Sequence, residues 1–75
     1  MGHAVGVTVE PWDYFELIDD IGQTYYRWHT VEKRMEWWCG DEGWCPHGWT
    51  PGSLMRYAEM YDDATVTVVT SDDVR

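Results

Sequence analysis

The groups best suited to chemistry stand close together in Trp37-Trp38-Cys39-Gly40-Asp41-Glu42-Gly43-Trp44-Cys45-Pro46-His47-Gly48-Trp49. Cys39 and Cys45 enclose five residues, and His47 follows two positions later. Three states of the pair compete. A disulfide would stabilise the chain by about 2 kcal/mol if the two sides of the loop face each other, but nothing in the sequence indicates an oxidising compartment. A zinc site would take Cys39, Cys45 and His47, with His29 or Asp41 as fourth ligand. Its cysteine spacing is wider than the usual knuckle of about two to four residues. The favoured reading is two reduced, partly buried cysteines acting as small hydrophobes, with no metal and no cofactor. A Cys45 nucleophile with His47 as base can be drawn, because residues i and i+2 share a face of a strand. Pro46 follows Cys45, no oxyanion-hole glycine motif stands nearby, and so short a chain has little room for a deep pocket. The expectation is no enzymatic activity.

Carboxylates are the next candidates. Fourteen acidic residues stand against five basic ones, giving a formal charge of -9. Several acids come in adjacent pairs: Asp19-Asp20, Asp41-Glu42, Asp62-Asp63 and Asp72-Asp73. The calcium-loop pattern D-x-D-x-D-G is absent. Such a surface repels phosphate backbones and anionic membranes, so neither direct nucleic-acid binding nor membrane binding is expected. Complementary charge favours a basic protein partner. A second possibility is phosphate mimicry, in which rows of acids occupy a DNA-binding cleft; it requires the acids to share one face. The N-terminal residues have no basic region or long apolar run, so the expected compartment is the cytoplasm.

Aromatic content points to binding too. Six Trp, five Tyr and one Phe are many rings for 75 residues. A domain this small buries only about 60% of its extended-chain surface, and one small sheet cannot readily hide all of them. Exposed tryptophan beside Tyr, Arg and Met has the composition of an interface hot spot. The anchors expected from sequence are Trp38, Trp44 and Trp49, with Asp41 and Glu42 as an acidic rim. Self-association is the other use of such a face, in a homodimer or a virion component.

These residues need a scaffold. Val5, Val7 and Val9 alternate with polar residues and predict a strand closed by Pro11. The stretch from Trp12 to Trp38 is ambiguous. Tyr14, Ile18, Ile21, Tyr25, Trp28, Met35 and Trp38 fit a helical stripe, while Gly22 and a run of β-formers oppose it. A hairpin is chosen: Tyr14 to Asp19, a turn at Asp20 to Gln23, then Thr24 to Val31. Tyr26 and Trp28 then share one face, and Tyr25, Arg27 and His29 the other. A third strand is predicted from about Met35 to Cys39, a glycine loop at 40–43, and a short strand at Trp44 to His47. Thr50 as cap and Pro51 as first residue start a helix over about 51–62, with Leu54, Tyr57, Ala58 and Tyr61 on its apolar face. Ala64 to Thr70 forms a last strand with Val66 and Val68 inward. The fold class is α+β: one domain over residues 1–75, a small twisted antiparallel sheet of four to five short strands with one helix packed on it.

The run Asp19-Asp20-Ile21-Gly22-Gln23-Thr24-Tyr25-Tyr26-Arg27-Trp28, the later Gly43-Trp44, Leu54, Tyr57 and Tyr61, and Ala64-Thr65-Val66-Thr67-Val68 carry a resemblance. The chain resembles small β-meander-plus-helix proteins of unknown function from actinobacteria and their phages. The likeness covers about three quarters of the chain and implies a phage or actinobacterial origin. It implies no activity and no site residues, and the cysteines and tryptophan density lie outside it. The function expected from sequence is therefore a small, acidic, non-catalytic protein-binding module. It would be a phage accessory protein that modulates a host protein, with a DNA-mimic inhibitor as the alternative.

Overall fold

The structure, a computed structural model, describes residues 11–74. The strand expected at Val5 to Val9 lies outside them. Five strands, β1 (Trp12–Ile18), β2 (Gln23–His29), β3 (Arg34–Trp38), β4 (Trp44–His47) and β5 (Thr65–Val69), form one antiparallel sheet in the order β4-β3-β2-β1-β5. One helix, α1 (Pro51–Met60), connects β4 to β5. The α+β class and the hairpin reading both hold; the alternative helix across 14–38 does not form.

Each turn has a local cause. At the β1–β2 turn the Asp19 carboxylate accepts from the backbone N–H of Ile21 (3.0 Å) and Gly22 (3.1 Å). A short acidic side chain can thus replace a backbone partner. At the β2–β3 turn His29 Nδ1 accepts from Glu32 N–H (2.9 Å). Thr50 Oγ1 accepts from Ser53 N–H, and Ser53 Oγ from Thr50 N–H, a complete capping box with Pro51 behind it. The helix stops at Met60, before Asp62-Asp63, where its dipole disfavours acids.

Strand register sorts the side chains. Phe15 pairs with Tyr26 and Val68, Trp28 with Met35, and Met35 with His47. All of these point to the side on which α1 lies. Phe15, Leu17, Tyr26, Met35, Leu54 and Ala64 make the core, with Trp28, Trp49, Tyr57 and Val66 packed around it.

The connection sets how α1 crosses. Alternating antiparallel pairs make β4 and β5 run in the same direction, so α1 must return the chain from the end of β4 to the start of β5. Those strands are the two edges, four spacings or about 19 Å apart. Ten helical residues span about 15 Å. The helix therefore crosses diagonally, and its end is tied down where Tyr57 Oη donates to Asp19 Oδ2 (3.2 Å). A diagonal leaves two opposite corners of that face uncovered. One holds Val68, which faces that side as its alternation predicted but is left 69% exposed. The other holds Trp37, 38% exposed.

Candidate functional site: the aromatic hairpin and the acidic end

The β3–β4 hairpin carries the segment from Trp37 to Trp49. Cys39 N–H donates to Gly43 O (2.7 Å) and Gly43 N–H to Gly40 O (3.0 Å), closing a tight 3-10 turn at Gly40–Glu42. Gly40 and Gly43 adopt φ of 71° and 74°. Other residues pay a steric penalty in that region, which is why glycines bracket the two acids.

The hairpin corrects the reading of the cysteines. Cys39 and Cys45 form a disulfide, with Cα atoms 6.2 Å apart. The structure thus pairs them instead of leaving two free thiols. The cause is the strand pairing itself, which sets the two sides of the loop within the span a disulfide bridges. The zinc set of Cys39, Cys45 and His47 is not assembled either. His47 Nδ1 accepts from Trp49 N–H (3.2 Å), and its ring lies against Tyr26 (5.4 Å), Trp37 (6.4 Å) and Trp49 (5.1 Å). Burial lowers the imidazole's pKa and favours its neutral form. With its sulfur bonded to Cys39, Cys45 is no nucleophile in this state.

Trp38 and Trp44 pair directly across the last rung before the turn, edge to face at 5.3 Å. They lie on the far face of the sheet, opposite α1. Tyr14 continues the row beside Trp44 (6.0 Å). The Arg27 guanidinium lies between the rings of Trp12 (3.9 Å) and Trp44 (4.5 Å). Arg27 Nε donates to Glu36 Oε1 (2.7 Å), and Arg34 pairs with the other oxygen of Glu36. Burial pushes the Glu36 carboxyl up, but hydrogen bonds from Arg27 and Arg34 outweigh it and leave the pKa below the usual value.

The five residues expected as anchors and rim are thus divided. Trp38 and Trp44 are together, and Asp41 and Glu42 are exposed at the tip beside them. Trp49 is not with them. It belongs to the helix side, stacked on Tyr26 (6.4 Å, planes 9° apart) and against Tyr57 (5.6 Å). Sequence reasoning passed over Trp37, the one tryptophan among the described residues more than a third exposed. As neighbours in one strand Trp37 and Trp38 face opposite sides, but only the diagonal of α1 shows that the helix leaves Trp37 uncovered.

Topology also gathers charge. The β1–β2 turn, the β3–β4 turn and the α1–β5 connection all fall at one end of the sheet. That end collects Asp19-Asp20, Asp41-Glu42 and Asp62-Asp63, three of the four acidic pairs. None of these six carboxylates forms an ion pair with a described residue. Trp38 and Trp44 lie on the rung next to it.

Elsewhere a groove of about 410 Å³ runs between Trp49 and α1, lined by Ser53, Arg56, Tyr57 and Met60 among others. Its Ser53 hydroxyl is committed to the helix cap. No family model, curated protein or solved structure matches this chain. Among the described residues no helix is long and apolar enough to cross a membrane.

Proposed function

We propose that this protein is a non-catalytic binding module that engages a basic protein through the tip of the β3–β4 hairpin. One juxtaposition carries the reading: an edge-to-face tryptophan pair stands next to the end of the sheet where three unpaired acidic pairs collect. Trp37, Trp38 and Trp44 would supply contact area, which aromatic anchors do at low entropic cost. Asp41 and Glu42 would steer and orient a Lys- or Arg-bearing surface. The turn's own hydrogen bonds, Cys39 N–H to Gly43 O and Gly43 N–H to Gly40 O, hold the tip in shape before binding and so lower the ordering cost. In keeping with the resemblance, we take the protein to be a phage accessory factor acting on a host protein in the cytoplasm.

The test is a capture experiment with matched baits in an actinobacterial lysate, using the wild-type chain, Trp37→Ala, and the double variant Asp41→Asn/Glu42→Gln. A basic protein held by the wild type and lost from both variants, with capture weakening as salt rises, supports the proposal. A partner retained equally by all three baits rejects it.

The gathered acids favour one second reading, that the acidic end stands in for duplex phosphate and blocks a DNA-binding protein. Competition separates the two. Duplex DNA should displace the module from its partner if it is a mimic, and should leave the complex intact if the hairpin binds elsewhere.

A further inference from the structure

Among the described residues, one cluster of metal-ligating side chains stands out: Cys39, Glu42 and Cys45, whose ligand atoms all lie within 4.8 Å of one another. We propose that this is a redox-gated site for a thiophilic divalent cation, zinc in the first instance, closed as the disulfide and opened by a thiol reductant. The spacing C-x2-E-x2-C places one carboxylate midway between two sulfurs on a turn that returns on itself.

The geometry suits a tetrahedral ion. Zinc–sulfur bonds of about 2.3 Å and zinc–oxygen bonds of about 2.0–2.2 Å set sulfur–sulfur separations near 3.8 Å and sulfur–oxygen separations near 3.5 Å. Glu42 Oε1 already lies 3.7 Å from Cys45 Sγ. A disulfide sulfur has no proton to donate, so the carboxylate gains no hydrogen bond from that closeness in the oxidised form. The two sulfurs need to separate, and a Glu42 carboxylate oxygen lies within 4.8 Å of both. Their Cα atoms are 6.2 Å apart, and the flanking turn is open, since a Cβ on Gly40 or Gly43 would meet nothing within 4 Å. Softness of the two thiolates selects zinc over the hard cations that carboxylates alone would take. The carboxylates at this end add a long-range attraction for any cation.

The chemistry balances in two steps. A cellular dithiol or two glutathione molecules give two electrons and two protons to the Cys39–Cys45 bond. That bond breaks, two thiols form, and the reductant leaves as its own disulfide. Zinc then displaces the two thiol protons to water, forming two sulfur bonds and one bond to Glu42, with water in the fourth position. In a reducing compartment the tip would hold metal, and in an oxidising one it would hold its own cross-link.

Titration of the full chain against a chromophoric zinc chelator tests this, once with the protein oxidised and once after phosphine reduction. The reduced chain should bind one zinc per molecule, and the oxidised chain at least about 100-fold more weakly. Cobalt in place of zinc should give thiolate-to-metal charge-transfer absorption in the reduced form alone. Glu42→Gln should weaken zinc binding about tenfold and Asp41→Asn should change it little. Both acids are exposed, so neither variant threatens folding, and far-ultraviolet circular dichroism checks that the reduced chain stays folded. The proposal is overturned if the folded, reduced chain binds zinc no better than Cys39→Ser/Cys45→Ser. Equal losses from Glu42→Gln and Asp41→Asn would also overturn it, because the effect would then be general charge rather than ligation.

Discussion

On the helix side of the sheet, Phe15, Leu17, Tyr26 and Met35 close over Leu54, which is completely buried. On the far side Trp12 and Trp44 flank Arg27 instead, with Tyr14 and Trp38 against the Trp44 ring. The first face excludes water with a second layer of structure. The second does so with its own side chains, using edge-to-face rings, a sandwiched guanidinium and the Arg27–Glu36–Arg34 ion-pair network. A chain this short has one helix to spend. The comparison shows that a sheet face without a helix can still be half-buried when cations stack on its aromatics. Stability should therefore depend most on the helix side, and recognition on the far side and the hairpin tip.

The largest effect should come from the helix side. Leu54→Ala leaves a hole where nothing can collapse, and such truncations cost about 2–5 kcal/mol. In a domain of this size 1 kcal/mol moves the melting temperature by about 4–8 °C. A thermal melt should show a loss of ten degrees or more, or no cooperative transition at all. A shift of only a few degrees would mean the two faces contribute alike, and the contrast between them would fail. Reducing the disulfide should be next. Its closed loop of seven residues constrains the unfolded chain by about 2 kcal/mol. Urea unfolding with and without a phosphine reductant measures this directly, in zinc-free buffer so that metal binding cannot compensate.

Breaking the far face should cost less. Arg27→Met keeps length and some packing but removes the stacked charge and strands one oxygen of Glu36, for a loss of about 1–2 kcal/mol. Arg27→Lys should recover only part of that, because an ammonium cannot stack as a planar guanidinium does. Full recovery by lysine would show that charge alone matters there.

The contrast between the faces also explains what could be read from sequence. The two-residue alternation of Tyr25 to His29 assigned Arg27 to one face and Tyr26 to the other, as observed. Thr50-Pro51 marked the helix start, and Asp19-Asp20-Ile21-Gly22 marked the turn. These signals are local, set by a few neighbouring residues. The misses were not local. Nothing in the sequence marks an oxidising compartment, and the disulfide follows from the hairpin pairing that sets Cys39 and Cys45 side by side. Trp49 is close to Trp38 and Trp44 in sequence, yet a strand and a loop later it packs on Tyr26. The exposure of Trp37 and Val68 depends on the angle at which α1 crosses, which no spacing in the chain encodes. The end of the sheet shared by three acidic pairs is a property of strand order.

Acid should distinguish the faces by pH. The folded pKa of His47, on the helix side, is lowered by burial from its ordinary 6.5. The unfolded chain therefore takes up that proton first, and stability falls as pH drops through about 6.5, levelling off below the folded value. The folded pKa of Glu36, on the far side, is depressed below its ordinary 4.5. Its contribution is present above 4.5 and is lost as pH falls through the folded value. Urea midpoints between pH 8 and 3 should show two successive losses. His47→Gln should remove the first and leave the second. Retention of the upper loss in that variant would assign it to another group.

The smallest effect on stability, and the sharpest test of the division of labour, belongs to Trp37. It lies on the helix side by register but beyond the reach of α1, with His47 as its ring neighbour. Surface substitutions away from special features usually stay within about 0.5 kcal/mol. Trp37→Ser should therefore leave the melting temperature almost unchanged. Trp44→Ala, which removes a ring from Trp38, Tyr14 and Arg27 together, should lower it clearly. If the hairpin tip is the contact surface, Trp37→Ser should nevertheless weaken partner binding at least tenfold, as hot-spot tryptophans do when truncated. A folded variant that binds as well as the wild type would restrict recognition to the far face and make Trp37 an exposed ring at an uncovered corner. Loss of binding at unchanged stability would show that the corner left open by the diagonal helix is used, and that the recognition surface wraps both sides of the hairpin.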